Sequence, residues 1–328
     1  MLVRLATVLL LCAAPLLGQS VREADALLRQ GQAQAALEML AKLPPEEAVL
    51  TLRADALYRS GRHFEAVEEA RRALQADPDN KRANQVAAAS LFALRRLEEA
   101  IPFIEKVRDW FPDDPNFLDM ASVAYIHTRQ ADPARRAIAE KFGLQPDSAA
   151  AYLITGRIFR EGEIWTEAES VLSQALKLDS RLPMAHLYLG ETLMGLNRHR
   201  QALSHFEEEI EINPAMWMGY YRKAEALMEL GRDDEAFPLL ERSIQLNRFF
   251  AGPFYLIGQI MLRRGEVQEA IAHLQRSVEL DYANSRTHFL LGRALLLAGR
   301  QEEAEKEFEL SRQLKIQENE KRGGPSDP

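Results

Sequence analysis

Cysteine is nearly absent from this 328-residue sequence. Cys12 is its one copy, and it lies inside an N-terminal apolar segment. A chain that loses that segment has no thiol and can form no disulfide. Glycine-rich phosphate loops, nucleophile elbows and paired-carboxylate motifs are missing as well, which removes the usual sequence signs of nucleotide binding or hydrolysis. Positive charge is in deficit: 41 Lys and Arg against 49 Asp and Glu give a formal charge of -8. The arginines alternate with glutamates and form no basic stripe of the kind a nucleic-acid partner needs. The apolar run from Leu5 to Leu17 is interrupted by Pro15 and falls short of the roughly 20 residues of a membrane-spanning helix. Seven histidines are present, but His199 and His205 are six apart, not the three or four that put two ligands on one helical face. No metal and no other cofactor is expected.

What the sequence does contain is a period. Steps of 34 residues from Ala66 land on Ala100, Ala134, Ala168, Ala202, Ala236, Ala270 and Ala304, and a fixed period of this length marks a repeat architecture. Twelve residues before these anchors stand Ala54, Ala88, Ser122, Gly156, Gly190, Ala224, Gly258 and Gly292, all small. Glycine inside a helix costs roughly 1 kcal/mol relative to alanine, so these positions predict close helix approach. Four residues past the anchors come Ala70, Ile104, Ile138, Leu172, Phe206, Leu240, Leu274 and Phe308, on the alanine's own helical face. Nine before stand Leu57, Leu91, Tyr125, Phe159, Leu193, Leu227, Met261 and Leu295, apolar where a first helix meets a second. Gly61, Gly231, Gly265 and Gly299 fall five before an anchor, where a left-handed residue ends the first helix. Pro78, Pro112, Pro146 and Pro214 fall twelve after one, where they stop one helix or open the next. Each unit reads as two short amphipathic helices.

These residues closely resemble the tetratricopeptide repeat family in repeat length, small-residue and Gly-Arg turn positions, anchor alanine and terminal proline. The resemblance implies an all-α fold, a right-handed α-solenoid of antiparallel helix pairs, and predicts one continuous array. Residues 45–318 are expected to hold eight repeats. Around Ala134, Arg129 replaces the turn glycine and Lys141 the usual small residue seven past the anchor, which predicts local irregularity. Residues 21–44, with Gly31 before Ala36 and the paired prolines Pro44 and Pro45, read as a degenerate capping repeat. Pro102 and Pro238 fall inside second helices and each removes a helix hydrogen bond. His186 and His288 share a phase with Tyr152, Tyr220 and Phe254, a packing position.

The two ends differ from the array. Residues 1–20, with Arg4 before the apolar run and Gly18, Gln19 and Ser20 after it, read as a signal peptide, so the mature protein is expected to be periplasmic or secreted. An uncleaved segment would instead anchor it to a membrane, as would lipidation of Cys12. Residues 319–328 are expected to form a disordered polar tail.

A second stripe on the first helices carries the candidate binding residues. It lies fifteen, eleven and eight residues before each anchor, a spacing that keeps one face: Leu153, Arg157 and Arg160; Leu187, Glu191 and Met194; Tyr221, Glu225 and Met228; Tyr255, Gln259 and Leu262; Phe289, Arg293 and Leu296. In the family this face lines the concave groove. Aromatics and methionines there suit a flexible partner, with Tyr221, Met228 and Tyr255 at the centre and Glu191 and Glu225 selecting a basic or amide-bearing segment. The same residues serve equally as packing between neighbouring first helices. The Lys and Asn arrangement with which some family members clamp a terminal carboxylate is absent from this stripe. The function read from the sequence is a non-catalytic scaffold that binds an extended peptide or protein segment, not a nucleic acid or small-molecule substrate. The alternative is a structural subunit of a cell-envelope complex using its outer face or array ends. An enzyme would need a domain for which the array leaves no room.

Overall fold

The computed structural model describes residues 17–322, which form eighteen helices and no strand. Residues 1–16, with Arg4, Cys12 and most of the expected leader, lie outside the described residues, as do Gly323, Gly324 and Pro325 of the tail. The helices come in pairs: α1 (17–29) with α2 (Ala33–Leu40), α3 (Glu47–Arg59) with α4 (His63–Ala76), α5 (Lys81–Ala93) with α6 (Leu97–Trp110), and α7 (Pro115–His127) with α8 (Ala131–Lys141). Next come α9 (Ala149–Glu161) with α10 (Trp165–Leu178), α11 (Ala185–Gly195) with α12 (His199–Ile212), α13 (Trp217–Glu229) with α14 (Asp233–Leu246), α15 (Gly252–Arg264) with α16 (Val267–Leu280), and α17 (Ser285–Leu297) with α18 (Gln301–Arg322).

The chain divides into two compact units, Met1–Ala151 and Tyr152–Pro328, where the sequence predicts one array. The boundary falls in the first turn of α9, after the irregular segment 142–148. Before it, α8 has 11 residues where α4 and α6 have 14, so the expected irregularity around Ala134 is present. In the first unit each helix from α2 to α8 packs on the next, and α3 also packs on α5. In the second, the helices from α10 to α18 do the same, and α11, α13, α15 and α17 form a row of touching first helices.

The anchor alanines are the centre of every pair. Ala66, Ala100, Ala134, Ala168, Ala202, Ala236, Ala270 and Ala304 are all fully buried. The small position twelve residues earlier meets the apolar position four residues later within the same pair. A β-carbon placed on Gly190 would lie 2.4 Å from the Phe206 ring, on Gly156 2.5 Å from Leu172, on Gly258 2.6 Å from Leu274 and on Gly292 2.8 Å from Phe308. Both phenylalanines at this position face a glycine. Smaller partners, such as Ala70 and Leu240, accompany alanine at Ala54 and Ala224.

The turn five residues before each anchor is left-handed in every pair. Gly31, Gly61, Gly231, Gly265 and Gly299 adopt it, and so do Arg95, Arg129, Glu163 and Asn197. The backbone geometry of the repeat therefore imposes this conformation whatever residue is present. A left-handed conformation costs an ordinary residue roughly 1–2 kcal/mol, and part of that is recovered by glycine against its greater freedom in the unfolded chain. Arg129→Gly, at φ 58°, is therefore predicted to raise stability by about 0.5–1 kcal/mol. Urea unfolding against wild type checks this; an unchanged or lower midpoint would mean the turn carries no strain.

Pro102 and Pro238 sit inside α6 and α14, yet both helices keep 14 residues. Position seven past the anchor ties a second helix to the start of its own first helix. Ser243, Ser277 and Ser311 donate to the carbonyls of Trp217 (3.0 Å), Ala251 (3.2 Å) and Ser285 (2.7 Å). In the pair α11–α12 the residue is Glu209, fully buried. Its carboxylate accepts the backbone N–H groups of Met184 (3.1 Å) and Leu187 (3.2 Å).

At the ends, residues 17–20, the last four of the expected leader, are helical, and Leu17 and Val21 pack on the cluster around Leu28. The tail expected from residue 319 is corrected: α18 continues to Arg322. Glutamate, lysine and arginine here are good helix formers, and Glu318 accepts a hydrogen bond from the Ser285 hydroxyl at 3.2 Å.

Candidate interaction face on the first helices

The sequence-derived stripe lies wholly on first helices of the second unit, and the structure divides it into a closed part and an open part. On α11 and α13 it is closed. Leu187 is fully buried and Met228 is 7% exposed, Met228 packing with Leu256, Ile257 and Ile260 of the next first helix. Neither side chain is available to a partner, because the row of touching first helices covers both. Leu153 and Met194 are half-buried against the cluster around Leu187 and Phe206.

Charge on the closed part is satisfied internally. Glu191 accepts Arg160 at 2.9 Å and Arg222 at 2.7 Å, and Arg222 also pairs with Glu225 at 2.8 Å. Arg160 lies over the Tyr188 ring, 4.9 Å from its centroid. The expectation that Glu191 and Glu225 offer free carboxylates to a basic segment is therefore corrected: both are held by arginines of the chain. Arg222 is the residue the stripe reading misses, since it lies fourteen before its anchor and outside the three chosen phases. A signal for it exists in the sequence, because Arg160, Glu191 and Arg222 are each 31 residues apart, and 31 is the repeat length less one helical turn. Arg157 is exposed and pairs with Glu161 at 3.5 Å.

Tyr221 belongs to an aromatic cluster. Its ring meets Phe250 edge-on at 5.0 Å, and Phe250 lies 4.5 Å from Trp217. Burial, then the nearby Glu225 charge, holds the Tyr221 hydroxyl well above the usual tyrosine range, and burial also raises that of Tyr255. Both phenols stay neutral.

On α15 and α17 the stripe opens. Tyr255, Gln259 and Leu262 are half-buried, while Phe289 is 51% exposed, Leu296 is 53% exposed and Arg293 is exposed. The reason is positional: Leu290 and Ala294 of α17 pack in the cluster that Tyr255 and Leu262 flank, and no further first helix does the same for Phe289 and Leu296 among the described residues.

The first unit carries a different surface at the corresponding place, one the sequence reading did not single out. Two adjoining clefts of about 590 and 780 Å3 share Asp25, Arg29 and Arg82. Arg82 pairs with both Asp25 (2.5 Å) and Asp55, Arg29 with Asp25 (2.6 Å) and Arg59 with Asp55 (2.7 Å). The Arg82 guanidinium holds the Asp25 carboxyl below its ordinary range. These charges tie α1, α3 and α5 together.

His186, His205 and His288 serve packing. His186 Nε2 lies 3.1 Å from the Ser180 carbonyl, and its Nδ1 lies 3.0 Å from Nδ1 of His205. His186 Nε2–H donates to the carbonyl, so His186 Nδ1 accepts from His205 Nδ1–H. Burial, then His186, keeps His205 below the usual histidine range. His288 is fully buried between the Tyr282 carbonyl (2.9 Å) and Glu307 (2.6 Å).

Models of the tetratricopeptide repeat match residues 57–124 and, in three further stretches, 124–183, 187–249 and 255–318. No curated protein matches the chain. Among solved structures, a MamA protein is similar at 21% identity, over 56% of this chain and 100% of its own, with a TM-score of 0.45. MamA from Desulfovibrio magneticus RS-1 is similar at 22% identity, over 52% and 97%, with a TM-score of 0.47. YrrB, described as a TPR protein with an unusual peptide-binding site, is similar at 18% identity, over 55% and 92%, with a TM-score of 0.44.

Proposed function

The chain belongs to the tetratricopeptide repeat family, and from that premise we propose that it is a non-catalytic scaffold holding an extended peptide or protein segment on the first-helix face of α15 and α17. The observation that carries this reading is the change in exposure along one stripe. Leu187 is fully buried and Met228 nearly so, whereas Phe289 and Leu296, at the corresponding positions of α17, are half exposed. Exposed large apolar side chains in register on one helix face favour a partner over solvent. In this reading the ligand is neither a nucleic acid nor a small-molecule substrate.

Aromatic anchors at protein interfaces cost about 2 kcal/mol or more when truncated. Phe289 is half exposed and its ring also lies 5.7 Å from that of Phe308, so Phe289→Ala is expected to weaken a captured partner by that amount, with a thermal melt recording any loss of this packing. Tyr221→Ala should act mainly on stability, since its ring is packed on Phe250. A photocrosslinker at position 289, with position 64 as an exposed control away from the stripe, maps the contact. Adducts formed equally from both positions would remove the assignment and turn attention to the outer face or the array ends, as expected of an assembly subunit.

Export is part of the proposal and rests on the residue pattern from Arg4 to Ser20. Intact-mass measurement on protein from the native host should place the mature N-terminus near Gln19 or Val21. A full-length cytoplasmic species would overturn export, and a lipid-modified or uncleaved species in the membrane would replace it with anchoring.

A further inference from the structure

We infer that the open face of α17 selects an acidic amphipathic segment, one that alternates carboxylates with apolar side chains; this rests on the scaffold reading above and narrows it. Arg286, Phe289, Arg293 and Leu296 follow one another at intervals of three, four and three, which places them on a single helical face. All four are exposed. Cation and apolar group thus alternate along one ridge.

Neither α15 nor α17 contains Asp or Glu. Among the described residues, the ion pairs made by the arginines of these two helices are Arg263 with Asp233 and Arg264 with Asp234. Arg286 and Arg293 are in neither of them. The contrast with the closed part of the stripe is direct: there Arg222 lies between Glu191 and Glu225, and Arg160 reaches Glu191. Carboxylates pair with guanidinium in a bidentate geometry that lysine does not offer. A segment with Glu or Asp beside Leu or Phe would meet both arginines and cover both apolar side chains. A polyanion satisfies only half of the ridge, leaving Phe289 and Leu296 in water.

The test is selection of a random-peptide display library on the full chain, with the Phe289→Ala protein used to remove peptides that bind elsewhere. Peptides recovered by the wild type are expected to carry an excess of Glu and Asp next to apolar residues. Their affinity should drop about tenfold or more on Arg286→Glu/Arg293→Glu and should weaken with salt, while circular dichroism melts stay unchanged. Recovered peptides with no charge bias, all lost on Phe289→Ala, would overturn the acidic selection and leave the scaffold reading in place. If no peptide survives the subtraction, so that every binder of the wild type also binds the Phe289→Ala protein, both are overturned. An oligonucleotide that competes as well as the best peptide would assign the arginines to phosphate. Loss of a dimer on Arg293→Glu in sedimentation would assign the face to a second copy. Either of those two results overturns the proposal.

Discussion

Phe206→Ala is expected to lower the unfolding free energy by about 3–5 kcal/mol, the usual cost of emptying a buried aromatic site. The ring is fully buried and lies where a β-carbon on Gly190 would be, 2.4 Å away. The converse change fills the same space twice: Gly190→Leu overpacks the helix pair and should cost about 1–3 kcal/mol. The pair α13–α14 solves the same contact with Ala224 and Leu240, both fully buried. Gly190→Ala and Phe206→Leu are therefore expected to relieve each other, with a coupling of about 0.5–3 kcal/mol between contacting residues. Urea unfolding of the two single variants and the double, beside the surface control Glu302→Gln, measures it. Strict additivity, or a Gly190→Leu protein as stable as wild type, would show that the helices do not approach as closely as the glycine implies.

Glu209→Leu should be comparably damaging for a different reason. The carboxylate is fully buried and accepts two backbone N–H groups at the start of α11, where the helix dipole also favours negative charge. Leucine preserves bulk but leaves both donors without a partner, at about 1–3 kcal/mol each. Glu209→Gln keeps one acceptor and should lose less. The neighbouring Glu208→Gln serves as the surface control. If Glu209→Leu unfolds at the wild-type midpoint, the two hydrogen bonds contribute nothing net and the buried carboxylate is stabilised by something else.

The fold was legible because its determinants recur at fixed phases. The anchor alanine, the small residue twelve before it and the apolar residue four after it each appear eight times, so a local ambiguity in one copy is settled by the others. The left-handed turn was legible only where glycine occupies it. Arg95, Glu163 and Asn197 take the same conformation because the pair geometry imposes it, and nothing in those side chains announces it. Glu209 was passed over since a lone glutamate on a helix reads as surface until its burial is known. The candidate site was the least legible part. A stripe defined by helical spacing gives the face but not what covers it, so Leu187 and Met228 entered the site although the next first helix buries them. Arg222 escaped because its role depends on a neighbour in another repeat. The open ridge on α17 was partly visible, since Phe289, Arg293 and Leu296 were on the stripe, but Arg286 extends it one turn beyond the phases chosen.

The chain of ion pairs from Arg160 through Glu191 and Arg222 to Glu225 also sets where the second unit can yield. These contacts cross from α9 to α11 and from α11 to α13, acting as crosslinks between successive turns of a spring. Among the described residues no such link joins α13 to α15 or α15 to α17, whose contacts are apolar. Apolar contacts are non-directional and tolerate small sliding, whereas paired guanidinium and carboxylate groups fix both distance and angle. Bending of this unit is thus easier from α13 through α15 to α17, next to the ridge, than between α9 and α13.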